Sequence, residues 1–224
     1  MKILQDITVC VVDCKNYDNA AKSIIYCSNM CNFNFKKSIY FSDIKHFKLD
    51  ENNIDYVKID KISSAREYDN FIIKDLYKYV ETKFILIVQH DGIIYQPEKW
   101  DDDFLNYDYI GASWPSPPKN GNHVGNGGFS LRSKKFMEYA SSTLGNNYCN
   151  EAEDVYLCGT LFSKMKENGF KYANIETACK FSTELEWSKT NRNSFGFHLA
   201  ACNAIDVHRQ FRDKIYEDLH KNWR

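Results

Sequence analysis

The chain has 224 residues, enough to bury a sizeable core as a single domain. Its composition, 43 % hydrophobic and 26 % charged, excludes an intrinsically disordered chain. A net charge of −1 excludes the strongly basic field of a nucleic-acid binder, and no apolar run approaches the roughly 20 residues that a membrane helix needs.

The opening stretch "MKILQDITVCVVDC" is interrupted by Gln5 and Asp6 and reads as a strand, not as a secretory leader. The expectation is a cytoplasmic protein whose eight cysteines are reduced. Cys10/Cys14 and Cys27/Cys31 each have three residues between them, a spacing that raises the question of zinc. If Cys10 lies in a strand, Cys14 lies about 13 Å away, too far for two sulfurs on one ion. Small apolar core residues are the simpler reading.

"ITVCVVD" (Ile7 to Asp13) is a β-branched run ending in an acid. Asn19 to Cys31 has helical spacing, and Lys37 to Asp43 and Ile54 to Asp60 read as two further strands. Ser64 to Val80 is helical, capped by Ser64, with Phe71, Leu76, Tyr79 and Val80 as its apolar stripe. "KFILIVQHD" (Lys83 to Asp91) is the fourth strand. This alternation predicts an α/β fold: a mostly parallel central sheet flanked by helices.

Tyr107 to Pro115 reads as a strand entering a loop, and Pro115 to Gly128 holds all but one of the four prolines. That loop is long for a plain connector, which points to function. "FSLRS" is a short strand followed by a helix opened by Ser133. Asn150 to Gly169 reads as a helix with an acidic start and a glycine stop. "FGFH" (Phe195 to His198) falls in a turn-rich stretch, and Ala204 to Arg224 is an amphipathic helix candidate. No internal repeat is present. The whole chain, 1–224, reads as one domain.

Four segments carry residues suited to chemistry. Gln89, His90 and Asp91 follow a buried strand, at the edge where open α/β sheets bind ligands. A carboxylate there binds a hard divalent cation; the bland alternative is an Asp-Gly turn. Gln89 and His90 point to opposite faces of the strand. "VGNGG" offers close backbone approach and positive φ at Gly127 and Gly128, and hydroxyl partners at Asn126; alone it is also an ordinary glycine-rich hairpin. Glu153 and Asp154 at a helix start are either a general base or charge stabiliser, or plain compensation of the helix dipole. His198 is either a metal ligand or a structural histidine.

Taken together, "LIVQHDGIIY … WDDDFLNYDYIGASWP … VGNGGFSLRS … EDVYLC … FS.E … FGFH" resembles a family of GT-A-type glycosyltransferases long catalogued as a domain of unknown function. The likeness runs from Ile7 to about Leu199, and "VCVVDCKN" suits the family's first strand. It implies a Rossmann-like GT-A fold, a UDP- or GDP-sugar donor, a glycan or glycoconjugate acceptor and usually Mn²⁺ or Mg²⁺. The superfamily's usual metal motif is Asp-x-Asp; here it reads Gln89-His90-Asp91, without the first acid. The resemblance places the cation on Asp91 with His198, the nucleoside near Asp13 and Asn16, and the sugar near Trp114 and Asn126 to Gly128. It places the catalytic carboxylate at Asp154 or Glu153.

Two other functions fit the same fold. A nucleotidyltransferase would carry a glycine-rich phosphate loop after the first strand, and "DCKNYDNA" contains no glycine. A non-catalytic sugar- or nucleotide-binding module would explain the missing acid. The tail offers a peripheral membrane contact through His208, Arg209, Arg212, Lys214, Lys221 and Arg224. Asp206, Asp213, Glu217 and Asp218 dilute that charge, which favours a solvated face.

Overall fold

The computed structural model describes residues 2–114, 122–184, 193–199 and 206–223. The first strand, β1 (Lys2–Val12), begins well before Ile7, because Lys2 to Leu4 pair with Phe33 to Phe35 ahead of a bulge in the ladder. α1 (Tyr17–Ile25) follows, and its last turn widens into a π-turn over Tyr26–Met30. β2 (Phe33–Ser42) and β3 (Asp55–Lys58) extend the sheet outward in parallel.

α2 (Ala65–Lys74) opens with a full capping box: Ser64 Oγ accepts from the Glu67 N–H, and the Glu67 carboxylate accepts from the Ser64 N–H. The helix then tightens into a 3₁₀ turn (Leu76–Tyr79), so the expected single helix is two pieces. Its core face is Ile72, Ile73, Leu76 and Val80, whereas Tyr79 is exposed. β4 (Phe84–Val88) returns to the far side of β1.

Beyond β4 the chain forms β5 (Gly92–Ile94), two 3₁₀ turns and β6 (Tyr109–Ile110). β7 (Phe129–Ser133) runs antiparallel to β4, and α3 (Lys134–Leu144) is capped by Ser133, whose Oγ accepts from the Phe136 N–H. The acidic run helixes only from Glu153, as α4 (Glu153–Val155), a π-turn (Tyr156–Thr160) and α5 (Phe162–Glu167). Gly169, at φ +83, turns the chain away after α5. α6 (Ile175–Phe181) and β8 (Ser182–Thr183) come next. The FGFH stretch is not a turn but a strand, β9 (Gly196–His198), and α7 (Asp206–Lys221) ends the described chain.

The main sheet has the order β3-β2-β1-β4-β7-β6, with β7 the one strand reversed against its neighbours. A second sheet has the order β5-β9-β8. The buried apolar side chains form one cluster reaching from Leu4 to Leu219. The Cys10/Cys14 and Cys27/Cys31 thiols are free and buried within it, as core residues.

The tail helix uses its apolar face internally. Phe211 packs on Tyr26 and Tyr95, and Tyr216 and Leu219 are buried. His208 is buried and stacks on Phe197, so it is not the surface cation expected from the sequence. Arg212 and Lys221 pair with Asp213 and Asp218 on the same helix. The expected helix start at Ala204, the side chains of Asp206 and Arg224, and the loop 115–121 lie outside the described residues. Among the described residues, no helix is long and apolar enough to cross a membrane.

Candidate active site

The strand order changes direction at β1: β2 lies on one side of it and β4 on the other. The carboxyl ends of β1 and β4 therefore splay apart, which is where open α/β sheets take ligands. β1 and β4 pair in the register Cys10 to Ile87. Three residues further on, Asp13 faces His90, and His90 Nδ1 lies 3.3 Å from Asp13 Oδ2. Asp13 Oδ1 accepts from the Lys15 and Asn16 N–H groups at 2.7 and 2.6 Å, and Asn16 Nδ2 reaches Oδ2 at 3.3 Å. Burial opposes the Asp13 charge, but the His90 contact and the two N–H groups outweigh it and hold the carboxyl below its usual range.

A cleft of about 370 Å³ opens at this edge, lined by Asp13, Asn16, Ser63, Ser64, Gln89 and His90 among others. Larger clefts exist, including one of about 610 Å³ at Asp6, Lys83 and Lys134 on the opposite edge of the sheet. None of them is lined by residues at the carboxyl ends of β1 and β4. Gln89 and His90 do diverge: Gln89 Nε2 donates to Tyr68 Oη on α2 at 2.8 Å, while His90 turns to Asp13.

The turn carrying Asp91 is held at every carbonyl. Gln89 O accepts from the Gly92 N–H, His90 O from Tyr216 Oη at 2.8 Å, Asp91 O from the Leu199 N–H, and Gly92 O from Ser23 Oγ at 2.7 Å. A polar tetrad after a buried strand is thus fixed from α1, β9 and α7 at once.

The small sheet completes the arrangement. β5 and β9 pair Gly92 with His198, which sets Asp91 beside the imidazole. His198 Nε2 lies 3.1 Å from Asp91 Oδ1. β8 and β9 pair Thr183 with Phe197, so Glu184 flanks the other side, with Oε1 3.1 Å from His198 Nδ1. Burial disfavours the imidazolium, but the two carboxylates override it and push its pKa up to about 10. Asp91, though buried, is held below its usual range by His198 and then by His90.

These contacts are close but poorly aligned: Asp91 Oδ1 and His198 Nδ1 are buried without a directed hydrogen bond. The separation also suits two ligands of one cation, provided the imidazole gives up its Nε2 proton to it. Two adjacent ligands of an octahedral ion at ~2.1 Å stand about 3 Å apart, close to the Asp91–His198 separation. The Asp91 carboxylate suits a hard ion such as Mn²⁺ or Mg²⁺, whereas an imidazole favours softer ions such as Fe²⁺ or Zn²⁺. Among the described residues, no group of three or more His, Cys, Asp or Glu side chains converges on one point, so the remaining positions would fall to diphosphate and water.

The glycine-rich segment closes the site from β7. Gly128 O accepts from the Gln89 N–H, and a Cβ at Gly128 would overlap the His198 ring. A Cβ at Gly127 would overlap Glu153 Oε1. The positive φ expected at these glycines sits instead at Asn126, at +53. Asn126 is buried, its Oδ1 accepting from Trp114 Nε1 at 2.9 Å and its Nδ2 facing Ser113 O. Both ends are spent inside the protein, so Asn126 shapes the loop instead of offering itself to hydroxyls. The half-buried Trp114 ring packs on Gly125.

Glu153 and Asp154 part ways. Glu153 is buried and bidentate to the fully buried Arg132, at 2.6 and 2.7 Å. With both oxygens on a guanidinium, Glu153 is a structural counter-ion, not the expected base. Asp154 is half-buried; its Oδ2 accepts from the Gly127 N–H at 3.2 Å. Arg132 Nη2 and Ser130 Oγ hold the Gly127 carbonyl. Asp69, on α2, accepts from the Glu153 N–H, and burial and the Asp154 charge push its carboxyl up. Sequence reasoning missed Asp69, Arg132 and Glu184. The lone arginine of "FSLRS" and the "FSTE" stretch are the signals that could have found the last two.

The sequence profile of the family described as "Protein of unknown function (DUF5672)" matches residues 51–198. No curated protein matches at the sequence level. Among solved structures, a glycosyltransferase involved in the glycosylation of the major capsid of PBCV-1 superposes with a TM-score of 0.55 at 13 % identity, covering 94 % of this chain and 98 % of its own. The galactosyltransferase LgtC, solved with donor and acceptor sugar analogs, gives 0.53 at 12 %, covering 94 % of each chain. The glycosyltransferase GlyE of Streptococcus pneumoniae TIGR4 gives 0.53 at 11 %, covering 96 % of this chain and 63 % of its own. At such identities the likeness establishes the fold, a GT-A glycosyltransferase fold.

Proposed function

The chain belongs to the DUF5672 family, and we propose that it is a glycosyltransferase moving a sugar from a UDP- or GDP-linked donor to a hydroxyl of a glycan or glycoconjugate. The observation that carries this reading is the meeting of Asp91 and His198 at 3.1 Å, beside the cleft between β1 and β4. Residues far apart in sequence converge there at the ligand edge of the sheet.

In this reading Asp13, Asn16 and His90 hold the nucleoside in the cleft. Asp91 and His198 hold the cation, Mn²⁺ or Mg²⁺. When bound, the cation supplies positive charge to the leaving diphosphate. Trp114 and the Gly127–Gly128 backbone form the wall for the donor sugar. Asp154 accepts the proton of the attacking hydroxyl, and Arg132 with Glu153 keeps Asp154 and the Gly127 peptide in place.

The nucleotidyltransferase alternative finds less support. The Lys15 and Asn16 N–H groups are occupied by Asp13 and do not form an open phosphate loop. The test is turnover of a panel of UDP- and GDP-sugars by the wild type and by Asp91→Ala. Loss of turnover in the variant, with an unchanged circular dichroism spectrum, supports the assignment. Substantial residual turnover sinks it, and sugar binding in EDTA with no turnover by either protein favours a non-catalytic module.

A further inference from the structure

One acidic side chain in this region has no place in the reading above. Glu184 follows β8 directly, and its side chain is only 9 % exposed. Among the described residues, its ion-pair contact is His198, and its second oxygen is buried without a hydrogen-bond partner. An isolated buried carboxylate is costly and is retained where a specific partner needs it.

The partner is fixed by the sheet. Parallel pairing of β8 and β9 brings Thr183 opposite Phe197, so the next residues, Glu184 and His198, lie side by side. Antiparallel pairing of β5 and β9 brings Gly92 opposite His198 and Asp91 to the other side. Gly128 packs against the ring with no room to spare. The imidazole therefore presents Nδ1 to Glu184 and Nε2 to Asp91.

We propose that Glu184 is a positioning residue that fixes the orientation of the His198 ring, so that Nε2 is the nitrogen turned to the cation. The proposal rests on the metal-assisted reading of the site. A neutral imidazole has one donor and one acceptor nitrogen, and a carboxylate can only accept. With Glu184 beside Nδ1, a proton displaced by an entering cation would leave from Nε2, the nitrogen turned to Asp91. Carboxylates behind metal-bound histidines act in this way, and their removal typically weakens the metal about 10–100-fold.

The test compares wild type, Glu184→Gln and Glu184→Ala. Mn²⁺ is titrated alone and with UDP, and free Mn²⁺ is followed by electron paramagnetic resonance. The ¹⁵N shifts of the His198 ring are recorded in each protein with Mg²⁺ and UDP. The expected result is a loss of Mn²⁺ affinity of about 10–100-fold in Glu184→Ala, with a changed ring-nitrogen pattern. Glu184→Gln, which keeps an acceptor oxygen, falls between the two and carries the comparison if the alanine variant does not fold. Wild-type affinity and ring shifts in both variants overturn the proposal while leaving the metal site intact. Failure of the wild type to bind Mn²⁺ under either condition overturns the metal-assisted reading, and the proposal with it.

Discussion

Gly128 and His198 are packed so closely that no side chain fits between them: a methyl group on Gly128 would land on the imidazole at Nε2. The glycine supplies the space in which the ring stands and, through its carbonyl, anchors the Gln89 N–H at the start of the Asp91 turn.

Gly128→Ala therefore displaces the His198 ring from Asp91. A misplacement of about 1 Å costs on the order of 100-fold in rate. Transfer should fall by about that factor, with Mn²⁺ affinity falling alongside it. Steady-state assays and Mn²⁺ titration check this; a variant with wild-type Mn²⁺ affinity would show that the ring is not held by this contact.

Glu153 and Asp154 are adjacent in sequence and differ in what they touch. Glu153→Ala leaves Arg132 buried without its counter-ion and should cost about 3–5 kcal/mol of stability, measured by urea denaturation. Asp154→Asn keeps an oxygen for the Gly127 N–H and should stay within about 1 kcal/mol of wild type. Transfer by Asp154→Asn should nonetheless drop by roughly 10²–10⁴, the usual share of a general base. Equal stability losses in the two variants would contradict this division.

Asp13 gives the pH dependence. Its folded pKa is depressed, against burial, by His90 and by the Asn16 and Lys15 N–H groups. The stability it contributes is therefore present above the unfolded value of about 3.9 and lost as pH falls through the lower folded value. Asp13→Asn should be less stable than wild type at pH 7, and the gap should close below about pH 4. Chemical denaturation at pH 7, 5 and 3 reads this directly, and a gap that does not narrow between pH 5 and 3 would contradict it.

Tyr216 ties α7 to the site through its hydrogen bond to the His90 carbonyl. Tyr216→Phe removes only the hydroxyl and should cost about 1 kcal/mol in denaturation. It should also weaken nucleotide binding in calorimetry, because the turn carrying His90 and Asp91 loses one of its four anchors. An unchanged affinity would show that the other anchors suffice.

Much of this arrangement was legible in the sequence, for local reasons. The Phe84 to Val88 run announces a buried strand, and the polar residues after it mark where it leaves the core. Ser64 reads as a helix cap, and the structure adds Glu67 as its capping-box partner. Asp91 and His198 were paired through the family resemblance, and the structure sets them together. The rest depended on contacts that no local pattern encodes. β8 and β9 span two and three residues, too short to show a period. The fate of Asn126 was set by Trp114 and Ser113, and that of Glu153 by Arg132, so residues that looked free for ligands were already taken. An arginine within the apolar strand "FSLRS" signals a buried counter-ion, although it does not name it.

The central claim is that Asp91 and His198 make this edge of the sheet a cation-assisted nucleotide site. Its most direct test is calorimetric titration of UDP and GDP into the wild type with Mn²⁺, into the wild type with EDTA, and into Asp91→Ala with Mn²⁺. The account predicts that one of the two nucleotides binds the wild type with Mn²⁺, and that its affinity collapses both in EDTA and in the variant. Equal affinity under all three conditions, or no binding under any, would contradict it.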